Sequence, residues 1–130
     1  MLDVLDPEVV AVGGLTMGAD PIAVATAVAG ASAGRPLRAF SVRKEAKAHG
    51  TGGRLVGPVE ADDVVAVLED TTTTGSAMFE AIEALSDVGV TIAQVITLVD
   101  RSGGIAAAKV AAVGIPYLAL VVPRDLGVEE

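Results

Sequence analysis

Apolar, β-branched runs alternate with alanine-rich segments of helical character along nearly the whole chain. Few folds are compatible with that alternation. Residues 8–12 read as a strand that Gly13 and Gly14 break. Residues 21–33 read as a helix, with Asp20 as its N-cap and Pro21 at the first helical position. Residues 37–42 read as a second strand, and the polar, glycine-bearing stretch 43–58 as a long loop. Residues 64–68 form a third, fully apolar strand. Residues 76–88 read as a helix, because Met78, Ile82 and Leu85 recur on one face and Gly89 then ends it. A fourth strand over 91–99, a short helix over 104–113 stopped by Gly114, and a fifth strand over 117–122 complete the series. Such alternation implies right-handed βαβ units. The expected fold is therefore α/β, a doubly wound parallel sheet of about five strands with flanking helices. Ligands of such sheets bind beyond the carboxyl ends of the strands.

The chain has 130 residues, enough for one domain over 1–130 with one core and too few for two ordinary ones. Hydrophobic residues make up 52%, carried by Ala, Val, Leu and Ile, with two phenylalanines, one tyrosine and no tryptophan. Small branched side chains suit a parallel sheet covered by helices. The net charge of -8 argues against nucleic acid and membrane surfaces as partners, since both attract a basic face. The absence of cysteine removes disulfides and thiolate metal sites and fits a reducing cytoplasm. Residues 21–34, the longest stretch of low charge, are too short and too rich in Ala, Ser and Gly to span a bilayer. No basic n-region follows Met1, so no signal peptide is expected. The first strand signal comes soon after Met1, with no leading helix to cover the sheet.

The third strand ends in chemistry. Residues 64–77 read VVAVLEDTTTTGSA. Glu69 and Asp70 close the apolar run, and Thr71, Thr72, Thr73, Thr74, Gly75, Ser76 and Ala77 lead into the next helix. Backbone N–H groups, hydroxyls and the positive end of a helix dipole suit a phosphate monoester. The two carboxylates repel phosphate and suit instead the hydroxyls of a ribose or the water shell of a divalent cation. The plainer reading is an acidic strand end with a threonine-rich helix cap, but capping alone does not call for four threonines after two acids.

A second constellation is SVRKEAKAHGTGGRLVG over 41–57. Arg43, Lys44, Lys47, His49 and Arg54 stand against one acid, Glu45, in a chain that is otherwise acidic. Gly50, Gly52 and Gly53 give the segment the freedom of an active-site flap, and its charge suits a leaving diphosphate. A solvated charged loop is the bland alternative, weighed down by the phosphate cradle in the same sheet. After the fourth strand, Asp100, Arg101, Ser102, Gly103 and Gly104 offer an arginine able to hold a carboxylate bidentately. An Asp–Arg turn capping the following helix explains the same residues. After the first strand, Gly13, Gly14, Leu15, Thr16, Met17 and Gly18 allow close approach of backbone to an anion, or form a simple turn. One histidine without cysteine makes a zinc site unexpected, and neither a nucleophile elbow nor a Walker or dinucleotide fingerprint is present.

Together these segments resemble the orotate phosphoribosyltransferases. VLEDTTTTGSA resembles the phosphoribosyl diphosphate motif of the wider type I phosphoribosyltransferases, VRKEAKAHGTGGRLVGP the flexible catalytic loop of the orotate enzymes, and VDRSGG their orotate-binding arginine segment. The resemblance implies transfer of ribose 5-phosphate from phosphoribosyl diphosphate to orotate, giving orotidine 5′-phosphate and diphosphate. It implies that Arg43, Lys44, Lys47 and His49 contact the diphosphate, with Lys47 the main catalytic lysine and His49 and Asp70 beside it in the catalytic set. It places residues 69–77 around the ribose 5-phosphate, Glu69 and Asp70 at the ribose hydroxyls, Thr73 and Arg101 at orotate, and Thr16 and Met17 in the diphosphate turn. It implies Mg2+ carried on the substrate's diphosphate rather than in a protein cage, and a homodimer whose 43–57 loop reaches the neighbouring subunit's site. The family's N-terminal hood over the base is expected to be lacking here. Two alternatives stay open: a non-catalytic module binding phosphoribosyl diphosphate or a nucleotide, and a phosphoribosyltransferase for another base.

Overall fold

The computed structural model describes residues 1–45 and 53–127. Among them, six strands build one sheet: β1 (Ala11–Leu15), β2 (Arg38–Val42), β3 (Leu55–Val56), β4 (Val64–Thr72), β5 (Thr91–Asp100) and β6 (Tyr117–Val121). Three helices accompany them: α1 (Asp20–Ser32), α2 (Ser76–Asp87) and α3 (Ile105–Ala112). The strand order is β3-β2-β1-β4-β5-β6. All neighbours are parallel except β2 and β3, so the expected α/β sheet is present with one added antiparallel edge strand. That strand lies inside the stretch read as a loop. Val42 pairs with Leu55, and Ser41 with Val56.

Successive residues of a strand face opposite sides of the sheet, and β4 shows the consequence. Val65 and Val67 pack with Met78, Ile82 and Leu85 of α2 and Val110 of α3. Ala66 and Leu68 face the other way, with Ala23 of α1, Val12 and Ile96. Helices thus cover opposite faces on either side of the junction between β1 and β4, which is where the strand order reverses. On the α1 face, the segment before β1 also contributes. Leu5 and Val9 are buried there, and Gln94 of β5 anchors the segment by accepting from the Asp6 N–H at 2.6 Å and donating to the Val4 carbonyl at 3.2 Å.

Three expectations are corrected. Gly13 and Gly14 do not break the first strand; they lie inside β1, paired with Phe40 and Ser41 of β2. A Cβ on Gly13 would stand 2.2 Å from the Phe40 carbonyl oxygen, and one on Gly14 2.1 Å from that of Leu68. The glycines let neighbouring strands and α1 approach rather than turn the chain. Asp20 does not cap α1 from outside. Ala19 holds that position, and Asp20 begins the helix, its carboxylate turned to the side chains of Thr16 and Ser41. The third strand does not stop at Leu68 but runs to Thr72, so Glu69, Asp70, Thr71 and Thr72 are strand residues in register with β5.

Candidate active site at the strand ends

The crevice at the reversal of strand order is walled by the turn after β1 and the end of β4. Leu15, buried, closes β1. Thr16, Met17 and Gly18 then lead into α1, and the Thr16–Met17 peptide is cis. The turn is tied down from two sides. The Thr16 N–H donates to the Val42 carbonyl at 2.8 Å, and its hydroxyl donates to Asp20 Oδ2 at 2.7 Å. Ser41 of β2 donates to the other oxygen of Asp20 at 2.9 Å. Met17 is left 77% exposed at the tip. Gly18 leans on β4: a Cβ there would lie 2.7 Å from Asp70 Oδ1.

The two acids of β4 are held differently. Asp70 accepts the Thr71 N–H at 2.7 Å. Glu69 points into the covered face, 5% exposed, and accepts the Asp70 N–H at 3.1 Å. Burial, then the hydrogen bond and charge of Asp70, push the Glu69 carboxyl up to about 7. Two adjacent carboxylates, one of them desolvated, do not both ionise readily.

Thr73, Thr74 and Gly75 form the turn into α2. Gly75 takes the left-handed conformation, with φ 87°, which glycine adopts without steric cost. No side chain caps α2 and no acid lies in its first turn. The Ser76 N–H has only the Thr74 hydroxyl, at 3.3 Å, itself 2.9 Å from the Ser76 hydroxyl. Ala77 and Met78 follow in the same first turn, whose N–H groups have no intrahelical acceptor. Uncapped donors, a positive dipole end and three exposed hydroxyls suit an anion. Lys109 of α3 adds a cation, donating to the Thr74 carbonyl at 2.8 Å. Nothing in the sequence pointed to Lys109, which reaches the turn only because α3 packs beside α2.

β5 ends on the same edge of the sheet. Arg101 follows it, exposed, with its N–H donating to the Thr72 carbonyl at 2.8 Å. This bond joins the segments of Thr73 and Arg101. Asp100 and Ser102 flank it, both 6% exposed. Gly104 is the N-cap of α3, without a side-chain cap, and the Ser102 hydroxyl supports the helix start by accepting the Ala106 N–H at 3.0 Å. An open cleft of about 1070 Å³ lies alongside, lined in part by Arg101, Tyr117, Ala119 and Arg124.

Of the basic loop, Arg43 and Lys44 follow β2 at this same edge. Arg43 is bonded through its backbone to Arg54: its N–H donates to the Arg54 carbonyl at 2.7 Å, and Arg54 Nε donates back to the Arg43 carbonyl at 2.8 Å. Arg54 also lies 3.4 Å from Glu80 of α2, so it serves the stem of the loop. Lys47 and His49 lie outside the described residues. Among the described residues no ion pair joins Arg43 or Lys44 to the cradle, and no group of three or more His, Asp or Glu is placed to hold a metal ion. No helix among them is long and apolar enough to cross a membrane.

No protein-family model matches the sequence. Individual relatives do. The chain is 47% identical over 119 residues to the orotate phosphoribosyltransferase of Streptomyces avermitilis, covering 92% of this chain and 65% of that one. It is 45% identical over 124 residues to that of Streptomyces coelicolor, covering 95% and 68%. The fold superposes on the Mycobacterium tuberculosis H37Rv orotate phosphoribosyltransferase in complex with 5-phospho-alpha-D-ribosyl 1-diphosphate, with a TM-score of 0.80, 41% identity, and coverage of 94% of this chain and 68% of that one. The chain thus spans about two thirds of the length of the relatives it matches. Identity of this level along nearly all of its residues shows that the chain belongs to the orotate phosphoribosyltransferase family.

Proposed function

We propose that the chain transfers the ribose 5-phosphate of phosphoribosyl diphosphate to orotate, releasing diphosphate and forming orotidine 5′-phosphate. The observation that carries this reading is the crevice at the reversal of strand order. There the turn after β1 rests on Asp70, and the uncapped start of α2 lies one turn further along. A relative of 41% identity was crystallised with phosphoribosyl diphosphate. The first turn of α2, with Thr71, Thr72, Thr73, Thr74, Gly75, Ser76 and Ala77, would receive the 5-phosphate. Glu69 and Asp70 would meet the ribose hydroxyls, and the Thr16–Met17 turn the diphosphate. Arg101 and Thr73 would hold orotate, the guanidinium matching its carboxylate.

The reaction is a displacement at the anomeric carbon. The bond to the diphosphate oxygen breaks, the bond to a ring nitrogen of orotate forms, and the ring passes through an oxocarbenium-like state. No enzyme nucleophile is required. Catalysis then rests on positioning, charge neutralisation and exclusion of water. Arg43, Lys44, Lys47 and His49 would neutralise the leaving group, with Lys47 as the principal donor. Mg2+ carried on the diphosphate would share its charge. A homodimer, with the 43–57 loop serving the partner subunit's site, and a cytoplasmic location complete the reading.

The test is the loss of orotate absorbance on mixing the chain with phosphoribosyl diphosphate and Mg2+. Turnover is expected. Calorimetric binding of phosphoribosyl diphosphate without turnover would replace the transferase by a binding module, and turnover of another base in place of orotate would reassign the substrate.

A further inference from the structure

We propose that Tyr117 is a positioning residue for recognition of the base: its hydroxyl, acting through Asp100, fixes the turn that presents Arg101. The inference rests on the transferase reading above and concerns a residue that reading does not use. Asp100 is the last residue of β5, and both of its oxygens accept hydrogen bonds. Oδ1 takes the Ser102 N–H at 2.7 Å, and Oδ2 takes the Tyr117 hydroxyl at 2.7 Å. Arg101 is the residue enclosed between Asp100 and Ser102. Its own N–H is spent on the Thr72 carbonyl, and Ser102 is fastened to α3 through the Ala106 N–H.

The backbone of Arg101 is therefore clamped on the β4 side by Thr72 and on the α3 side by Ser102. Asp100 holds its orientation because Tyr117 reaches across from β6. Burial pushes the Asp100 carboxyl up, but the bonds from Ser102 and Tyr117 outweigh it and keep it ionised. Burial and that neighbouring carboxylate hold the phenol in its protonated, donating form. A guanidinium recognises a carboxylate through two parallel bonds, so its usefulness depends on placement. Small displacements of a positioning group cost rate or affinity out of proportion to their size. Tyr117 is the chain's single tyrosine, and its ring packs against the buried cluster. Phenylalanine would keep that packing and remove the hydroxyl that donates to Asp100.

The experiment uses Tyr117→Phe in the whole chain, with two readouts. Steady-state kinetics should show KM for orotate raised about tenfold, as loss of a bond to a charged acceptor implies, with KM for phosphoribosyl diphosphate unchanged. Amide hydrogen exchange should accelerate at Arg101 and Ser102 but not at Leu68 or Val95 in the core. Unchanged exchange at Arg101 and Ser102 would overturn the proposal whatever the substrate is. So would faster exchange there with an unaltered KM for orotate in an active chain, or equal losses for both substrates with exchange raised throughout. Locally faster exchange in a chain that does not use orotate would support the role of Tyr117 in the turn and sink the assignment of the base instead.

Discussion

Replacing Glu69 by Gln separates the electrostatic cost of the site from its shape. Glu69 is 5% exposed at the end of β4, and burial together with Asp70 raises its carboxyl from an ordinary 4.5 to about 7. The folded chain therefore holds a proton that the unfolded chain releases across that interval. By linkage, stability falls as pH rises from about 4.5 and levels off above about 7. A shift of this size corresponds to at most about 3 kcal/mol. The interior responds with an effective dielectric well above that of a dry one, which reduces the figure to about 1–2 kcal/mol. Glutamine keeps an oxygen to accept the Asp70 N–H and cannot ionise.

Urea unfolding of both proteins between pH 4.5 and 8 measures the difference, with the midpoint and slope giving the stability at each pH. Near pH 4.5 the two should be alike. At pH 8 Glu69→Gln should be the more stable by about 1–2 kcal/mol. Other titrating groups act on both proteins and cancel in the comparison. Parallel stability profiles would refute the reasoning, and so would a wild type that gains stability over the variant between pH 5 and 7. Binding of phosphoribosyl diphosphate should weaken in the variant at pH 8, because an ionised acceptor for a ribose hydroxyl is gone. A gain in stability with a loss of binding is the usual signature of a strained functional group.

Gly14→Ala should cost more than about 3 kcal/mol or prevent folding, since its Cβ would meet the Leu68 carbonyl oxygen rather than a yielding side chain; urea unfolding or soluble yield decides, and a near-neutral variant would contradict the close contact. A double-mutant cycle of Arg54→Ala and Glu80→Ala should give a coupling below about 1 kcal/mol, because the pair is long at 3.4 Å and Glu80 is exposed; a larger value would mean that the stem is held mainly by that pair. Lys47→Ala should lower kcat far more than it raises KM for orotate, and an unchanged kcat would remove Lys47 from the proposed catalytic set.

Sequence patterns tell most about this fold where the structure is periodic. Met78, Ile82 and Leu85 recur at helical spacing, and all three lie in the core beneath α2. The runs at β4 and β5 were legible because buried parallel strands are continuous and apolar, and β6, though a half-buried edge strand, keeps the same apolar run. β3 was not, because a two-residue edge strand has no period of its own and exists only through its pairing with β2. The end of β4 was misplaced for a related reason. Glu69, Asp70, Thr71 and Thr72 are polar, yet they continue the ladder with β5 as far as Asp100. Local composition signals a loop; the neighbouring strand decides otherwise. The described residues proposed for the candidate site share one edge of the sheet because each lies within a few residues of a strand's carboxyl end.

The glycine pair of β1 shows how a local reading can fail while the segment it marks still ends at the candidate site. Gly13 and Gly14 look like a turn because glycine is most often needed where the backbone bends. Here it is needed because β1 is crowded on both faces, by Phe40 and by Leu68 with Ala19. That crowding brings the end of β1 against the end of β4, and Gly18 repeats the device four residues later against Asp70. The same closeness that hides Gly13 and Gly14 inside a strand sets the turn after β1 beside the Asp70 carboxylate. Side chains at these glycines would separate the two walls before they touched any substrate. Substitutions there should therefore damage folding and ligand binding together, whereas Tyr117→Phe or Glu69→Gln should alter one and spare or improve the other.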